Sequence, residues 1–182
     1  MHHAYYSIVL DHEADRVWTT IREFGQFQWS GVKATILERR ESGGAVGSVR
    51  QVQVAEQQVG QRLIAHSDDH RFYTYVLCEP NSLQFNNFRS TVSVCPVVES
   101  GTAFVQWSAS FECAAEAKHG WTTYFETGYA KSLISLRRFM AARNAERLLH
   151  GPAAGDGRRP SACGTNHGIL RLVSNREAVA NP

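Results

Sequence analysis

The chain has 182 residues, 43% hydrophobic and 20% charged, which is enough for one globular domain with a substantial core. Its net charge of +2 is carried beyond Gly151, where Arg158, Arg159, Arg171 and Arg176 stand against Asp156 and Glu177, so the body is neutral. A neutral body has no overall positive field to gather phosphates, which argues against a nucleic-acid partner, and no apolar run reaches the roughly 18 residues of a membrane span.

Residues 5–10 alternate as a first strand, and Asp11 or His12 can cap a helix through Arg16, Val17, Trp18, Ile21 and Arg22 that stops near Gly25. The aromatic, glycine-flanked stretch FGQFQWSG fits a second short helix or turn, setting Phe24, Phe27 and Trp29 over one end of a sheet. Strands alone follow, at 32–40, 46–54, 57–67, 71–78, 88–98 and 102–113, separated by SGG, an acidic-polar turn, SDDH, EPNS and ESG. Connections of hairpin length predict an antiparallel sheet.

The last element is a helix from Lys118 to about Leu149, in which Phe125, Tyr129, Ser132, Leu136, Phe139 and Met140 recur at three- and four-residue steps. That stripe faces a core, while Lys131, Arg138 and Glu146 lie off it. One long helix after so many strands predicts an α+β fold in which a curved sheet wraps around a rod. Gly128 and Ser132 form a notch one turn deep, which either leaves room for a guest or lets the helix approach the sheet. Residues 1–150 are thus expected to form the domain, and 151–182, which open with GPAAGDGRRPSACGTNHG, a flexible tail.

The ordered succession of VWTTIREFGQFQWSG, GAVGSVRQVQV, VGQRLIAHSDDHRFYTYVL, TAFVQWSASFEC and the final helix resembles the polyketide cyclase/dehydrase branch of the START-like, Bet v 1-like (SRPBCC) superfamily, over about residues 5–142. The resemblance implies a helix-grip fold: an antiparallel sheet of about seven strands curled around the C-terminal helix, enclosing a cavity for a small hydrophobic or aromatic ligand. It does not imply one reaction, since similar proteins include aromatic cyclases, carriers, receptors and lyases. The expected activity is therefore ligand binding, either with polyketide-type aldol cyclisation or dehydration or as a non-catalytic carrier of a lipid, quinone or other metabolite.

Strand phase nominates the wall of such a cavity. Trp107 shares a face with Val105, Ala109 and Phe111; Arg50 shares one with Ser48, Val52 and Val54; Gln61 shares one with Val59, Leu63 and Ala65. Arg50 and Gln61 are thus a polar pair aimed into an apolar interior. Similar sequences carry glutamate where Gln61 stands, in a motif resembling v-x-E-R-L, so Arg50 here lacks that anion and is either free for a ligand oxyanion or paired elsewhere. The same change removes a general base. Arg50, Tyr75 and Tyr129 are the catalytic candidates, the tyrosines as internal hydroxyls beside Tyr73; Trp29, Gln61, Trp107, Phe125 and Ser132 are the ligand-binding candidates, with Trp29 and Trp121 at the entrance.

Other chemistries find no footing. The cluster His66-Ser-Asp-Asp-His70 falls in a hairpin turn, with His66 out of phase with Gln61, and reads as solvent-facing rather than metal-binding. Lys131 lies off the inward helical face, Lys118 starts the helix and Lys33 is out of phase with Val32, Ala34 and Ile36, so no Schiff-base lysine is nominated. SGGAVGS joins two strands rather than opening a helix and cannot hold phosphate on a helix terminus. Cys78, Cys95, Cys113 and Cys163 have no CxxC spacing, and the N-terminus lacks the profile of a secretory signal, so no metal, no cofactor and a cytoplasmic location are expected.

Overall fold

A computed structural model describes residues 1–38, 46–54, 57–78 and 83–150. The expected tail at 151–182, the end of the strand at 32–40, the SGG turn, the acidic-polar turn and the EPNS turn lie outside the described residues.

Seven strands form one antiparallel sheet: β1 (His2–Leu10), β2 (Ala34–Glu38), β3 (Val49–Val54), β4 (Gln57–Ser67), β5 (Phe72–Leu77), β6 (Asn86–Val97) and β7 (Thr102–Glu112). Their order across the sheet is β1-β7-β6-β5-β4-β3-β2, so each strand from β2 to β7 pairs with its neighbour in sequence and β1 closes against β7. Period-two burial marks the inner face: on β7, Ala103, Val105, Trp107, Ala109 and Phe111 are buried while the intervening residues are half-buried.

Between β1 and β2 lie α1 (Ala14–Ile21) and a 3-10 turn at Gln28–Ser30. Neither Asp11 nor His12 caps α1; the His12 amide turns back to the Leu10 carbonyl at 2.8 Å, and the helix starts at Ala14 behind Glu13, which makes no side-chain cap. α1 buries Ala14, Val17, Trp18 and Ile21 as one amphipathic stripe. The 3-10 turn ends on Gly31 at φ 72°, where a Cβ would sit 3.1 Å from Ser135 Oγ of the final helix, so glycine suits both the backbone and the packing.

α2 (Lys118–His150) spans the concave side. It packs along β1 and the 3-10 turn, with Phe125, Tyr129, Leu133, Leu136 and Met140 buried beneath it. Its other flank stands off from β3, β4 and β5, and the space left there is the candidate site.

One departure from strand phase matters. β4 carries a bulge at Ile64, between Leu63 opposite Tyr75 and Ala65 opposite Thr74. The extra residue reverses the alternation, so His66 pairs with Tyr73 and faces inward rather than into solvent. It lies in β4 and not in the turn: its ring packs against Trp18 at 5.3 Å and its Nε2 sits 3.2 Å from the Arg22 carbonyl. The turn itself is tied to α1, with Trp18 Nε1 donating to Asp68 Oδ1 at 2.8 Å, Arg22 reaching Asp68 at 3.2 Å and Arg71 reaching Asp15 at 2.6 Å. The acidic cluster therefore holds a helix in place. Among the described residues no three His, Cys, Asp or Glu side chains gather as metal ligands, and no helix is long and apolar enough to cross a membrane.

Candidate functional site

A cleft of about 510 Å³ opens between α2 and the β3–β6 side of the sheet, within the ordinary range for small-molecule sites. Its floor is buried and mostly aromatic: Tyr75 from β5, Phe88 from β6, Trp107 from β7, and Phe125 and Tyr129 from α2. Its mouth is formed by exposed residues of α2, Thr123, Thr127, Gly128 and Lys131 among them, with Gln53 of β3 opposite. A Cβ on Gly128 would meet nothing within 4 Å, so the notch of Gly128 and Ser132 faces the cleft and does not serve close helix–sheet approach.

The aromatic wall is ordered by stacking. Trp107 and Tyr129 lie nearly parallel, 4.7 Å apart at 13°, and Phe125 continues the series 6.0 Å from Tyr129. Offset stacks of this kind contribute about 0.5–1.5 kcal/mol each beyond their buried area.

Beneath that wall runs a hydrogen-bond network whose protons can be assigned. Ser90 Oγ donates its one proton to the Ser108 carbonyl at 2.8 Å, so it accepts from Trp107 Nε1 at 2.9 Å and from Tyr129 Oη at 3.2 Å. The proton of Tyr129 is thereby committed. The Trp107 N–H also reaches Tyr75 Oη at 3.2 Å, and there Tyr75 is the acceptor. Since both lone pairs of Ser90 are used, no hydrogen bond among the described residues takes up the Tyr75 proton, which can be offered to whatever occupies the cleft.

Gln61 is oriented by the same reasoning. Register sets Arg50 of β3 opposite Gln61 of β4, and Arg50 Nε donates to Gln61 Oε1 at 2.8 Å. A guanidinium only donates, so the amide oxygen must face it and the Gln61 NH₂ is directed away; Gln61 itself lines the cleft.

Arg50 lies behind this lining and not in it. Its guanidinium is fully buried, sandwiched over Phe24 at 4.1 Å and Phe27 at 3.8 Å, with Nη1 bound to the Phe24 carbonyl at 3.0 Å and Nη2 making no hydrogen bond. It is thus not open to a ligand as strand phase implies, because two loop aromatics close over it. Burial lowers its pKa from the ordinary value, and the Tyr73 and Tyr75 hydroxyls oppose that shift. Trp29 is also displaced from its expected place at the entrance: the 3-10 turn tucks its indole inward, edge-on to Phe27 at 5.1 Å and 5.9 Å from Trp107. Trp121 packs on Phe85 at 4.7 Å, away from the cleft lining.

Of the sequence candidates, Gln61, Tyr75, Trp107, Phe125, Tyr129 and Ser132 come together on the cleft, and Arg50 and Trp29 stand behind it. Phe27, expected over the end of the sheet, also lines the cleft; sequence phase gives no sign of Phe85 and Phe88, which enter at a strand start, and it dismisses Lys131, which reaches the rim from just outside the inward stripe.

Burial raises the pKa of the Tyr73 phenol to about 12, and it raises those of Tyr75 and Tyr129 as well. A phenol with a raised folded-state pKa stabilises the fold fully below the unfolded value, and that stability is lost as pH climbs through the folded value. Unfolding free energy is therefore expected to fall steadily from about pH 10 to about pH 12. Absorbance titration of tyrosinate alongside circular dichroism checks this, with ionisation of buried phenols coinciding with loss of structure.

The sequence matches the family described as polyketide cyclase / dehydrase and lipid transport over residues 1–141. No curated protein matches it. Among solved structures, a protein of Nitrosospira multiformis is 28% identical with a TM-score of 0.66, the match covering 79% of this chain and 99% of that one. XoxI of Bacillus cereus is 23% identical with a TM-score of 0.62, covering 79% and 99% respectively. A Thermobifida fusca protein is 23% identical with a TM-score of 0.66, covering 75% and 91%. These likenesses are of fold; together with the match over 141 residues, the seven-stranded grip around α2 and the aromatic cleft within it, they make this chain a member of the polyketide cyclase / dehydrase and lipid transport family.

Proposed function

We propose that the protein binds a small hydrophobic or aromatic molecule in the α2 cleft, holding one ligand oxygen, a carbonyl or phenolic group, against Tyr75 Oη and the Gln61 amide. The observation that carries this reading is the proton count: in an apolar cleft, no hydrogen bond among the described residues takes up the Tyr75 proton, and the Gln61 NH₂ is turned away from Arg50. Donors that face an apolar cleft gain a hydrogen bond from a ligand that supplies an acceptor oxygen, where a hydrocarbon offers them none.

A second reading, catalysis of aldol-type cyclisation or dehydration, is favoured by the same two donors, which lie next to the buried charge of Arg50 and would stabilise an enolate oxygen. Against it, the described lining holds no Asp, Glu or His to remove a proton, and the buried phenols have pKa values raised away from the neutral range. Binding without turnover is the reading we adopt.

Native mass spectrometry of the purified protein, followed by denaturing extraction, identifies a travelling ligand. With that ligand, or with a naphthol probe, Tyr75→Phe is expected to weaken binding about tenfold, since one net hydrogen bond is worth about 0.5–1.5 kcal/mol. It should leave affinity for naphthalene itself unchanged. Equal losses for both probes would sink the donor assignment.

A further inference from the structure

The proposed function leaves open the ligand's charge and the character of its outer end. Gly120, Thr123, Tyr124, Thr127, Gly128 and Lys131 form a second stripe on α2, at helical spacing beside the buried one, and together they make its side of the cleft mouth. That stripe is polar or small and ends in the only charged side chain of the described lining. On α2 no acid stands three or four residues from Lys131, these positions being Thr127, Gly128, Ile134 and Ser135. None of the ion pairs among the described residues involves it.

Geometry aims the ammonium. A helical side chain leans over the turn N-terminal to its own Cα, so Lys131 reaches over Thr127 and Gly128, where the absent Cβ leaves the wall open. A lysine stem lies along apolar surface while its head stays in water, which sets the charge at the boundary between cleft and solvent. The Thr127 hydroxyl one turn back adds a donor to the same rim.

We infer that the ligand is an amphipathic monoanion whose acidic group sits at the mouth on Lys131 and Thr127, with its apolar or aromatic body inside. This rests on the cleft being the binding site, and it deepens that reading by naming the ligand class. Cationic amphiphiles are selected against by the same charge, and neutral ligands gain nothing from it.

Two fluorescent probes separate the claims: 1-anilinonaphthalene-8-sulfonate, an aromatic monoanion, and N-phenyl-1-naphthylamine, its neutral counterpart. At low ionic strength the protein should prefer the sulfonate probe. Lys131→Met should reduce that preference up to about fivefold, as for a solvent-facing ion pair, with binding of the neutral probe unchanged. Lys131→Arg should keep it, Lys131→Glu should reverse it, and added salt should erase it in the wild type. A preference that does not respond to Lys131 overturns the headgroup inference alone, provided that both probes bind and both are displaced by Gly128→Phe. Failure of either probe to bind, or binding indifferent to Gly128→Phe, overturns the cleft reading and this inference with it.

Discussion

Replacing Gly128 with phenylalanine is expected to weaken ligand binding close to a hundredfold while raising the melting temperature. The residue lies inside α2 on the cleft lining and a Cβ there meets nothing within 4 Å, so a larger side chain fits without a clash and has room to lie across the cleft mouth. Glycine in a helix interior costs about 1 kcal/mol relative to alanine, and phenylalanine roughly half of that. The new ring also lies against an apolar wall, and burying half of it adds about 1 kcal/mol. The variant should therefore gain about 1–2 kcal/mol, or about 2–4 °C for each kcal/mol in a chain of this size. Binding moves the other way. A guest denied about 100 Å² of apolar wall loses about 2.5 kcal/mol, close to a hundredfold in affinity. Probe titration and thermal unfolding of the same preparation read both effects. Unchanged binding in a stabilised variant would place the site elsewhere, and a lowered melting temperature would mean that the notch serves packing.

How much of this was legible in the sequence follows the physics of each element. The length and stripe of α2 are a one-dimensional pattern, and the expected span ending at about Leu149 differs by one residue from the observed end at His150. Strict alternation on β7 likewise put Trp107 on the inner face, and phase alone aligned Arg50 with Gln61, which the register sets directly opposite each other. The bulge at Ile64 has no such signature, being set by pairing with β5, and so His66 was assigned the wrong face. Strand phase leaves Arg50 either free for a ligand or paired elsewhere, because Phe24 and Phe27, which sandwich it, arrive from the segment after α1, more than twenty residues earlier in the chain. Tertiary approach of that kind leaves no mark in local period. Lys131 was set aside for being off the buried stripe, yet a cleft mouth is by nature built from the positions bordering such a stripe.

Arg50 should tolerate methionine far better than alanine, and the difference tests whether its charge is balanced. Everything described around the guanidinium is neutral: the Gln61 amide oxygen, the Phe24 carbonyl, the faces of Phe24 and Phe27, and the Tyr73 and Tyr75 hydroxyls. Desolvating a cation costs several kcal/mol, against which stand two hydrogen bonds and cation–π contacts of about 2 kcal/mol. Arg50→Met keeps most of the volume and removes the desolvation cost, while orphaning two acceptors at about 1–3 kcal/mol each. These terms nearly cancel, so stability should change by about 1 kcal/mol or less. Arg50→Ala orphans the same acceptors and opens a hole between two rings, and should lose about 3 kcal/mol more. Urea unfolding of both variants reads the contrast. The methionine variant should still bind an apolar probe, but Gln61 is then free to turn its oxygen outward, and the preference for a carbonyl-bearing ligand should fall about tenfold. A methionine variant as unstable as the alanine one would show that the guanidinium is paired with an anion, and the Gln61 donor assignment would then need another cause.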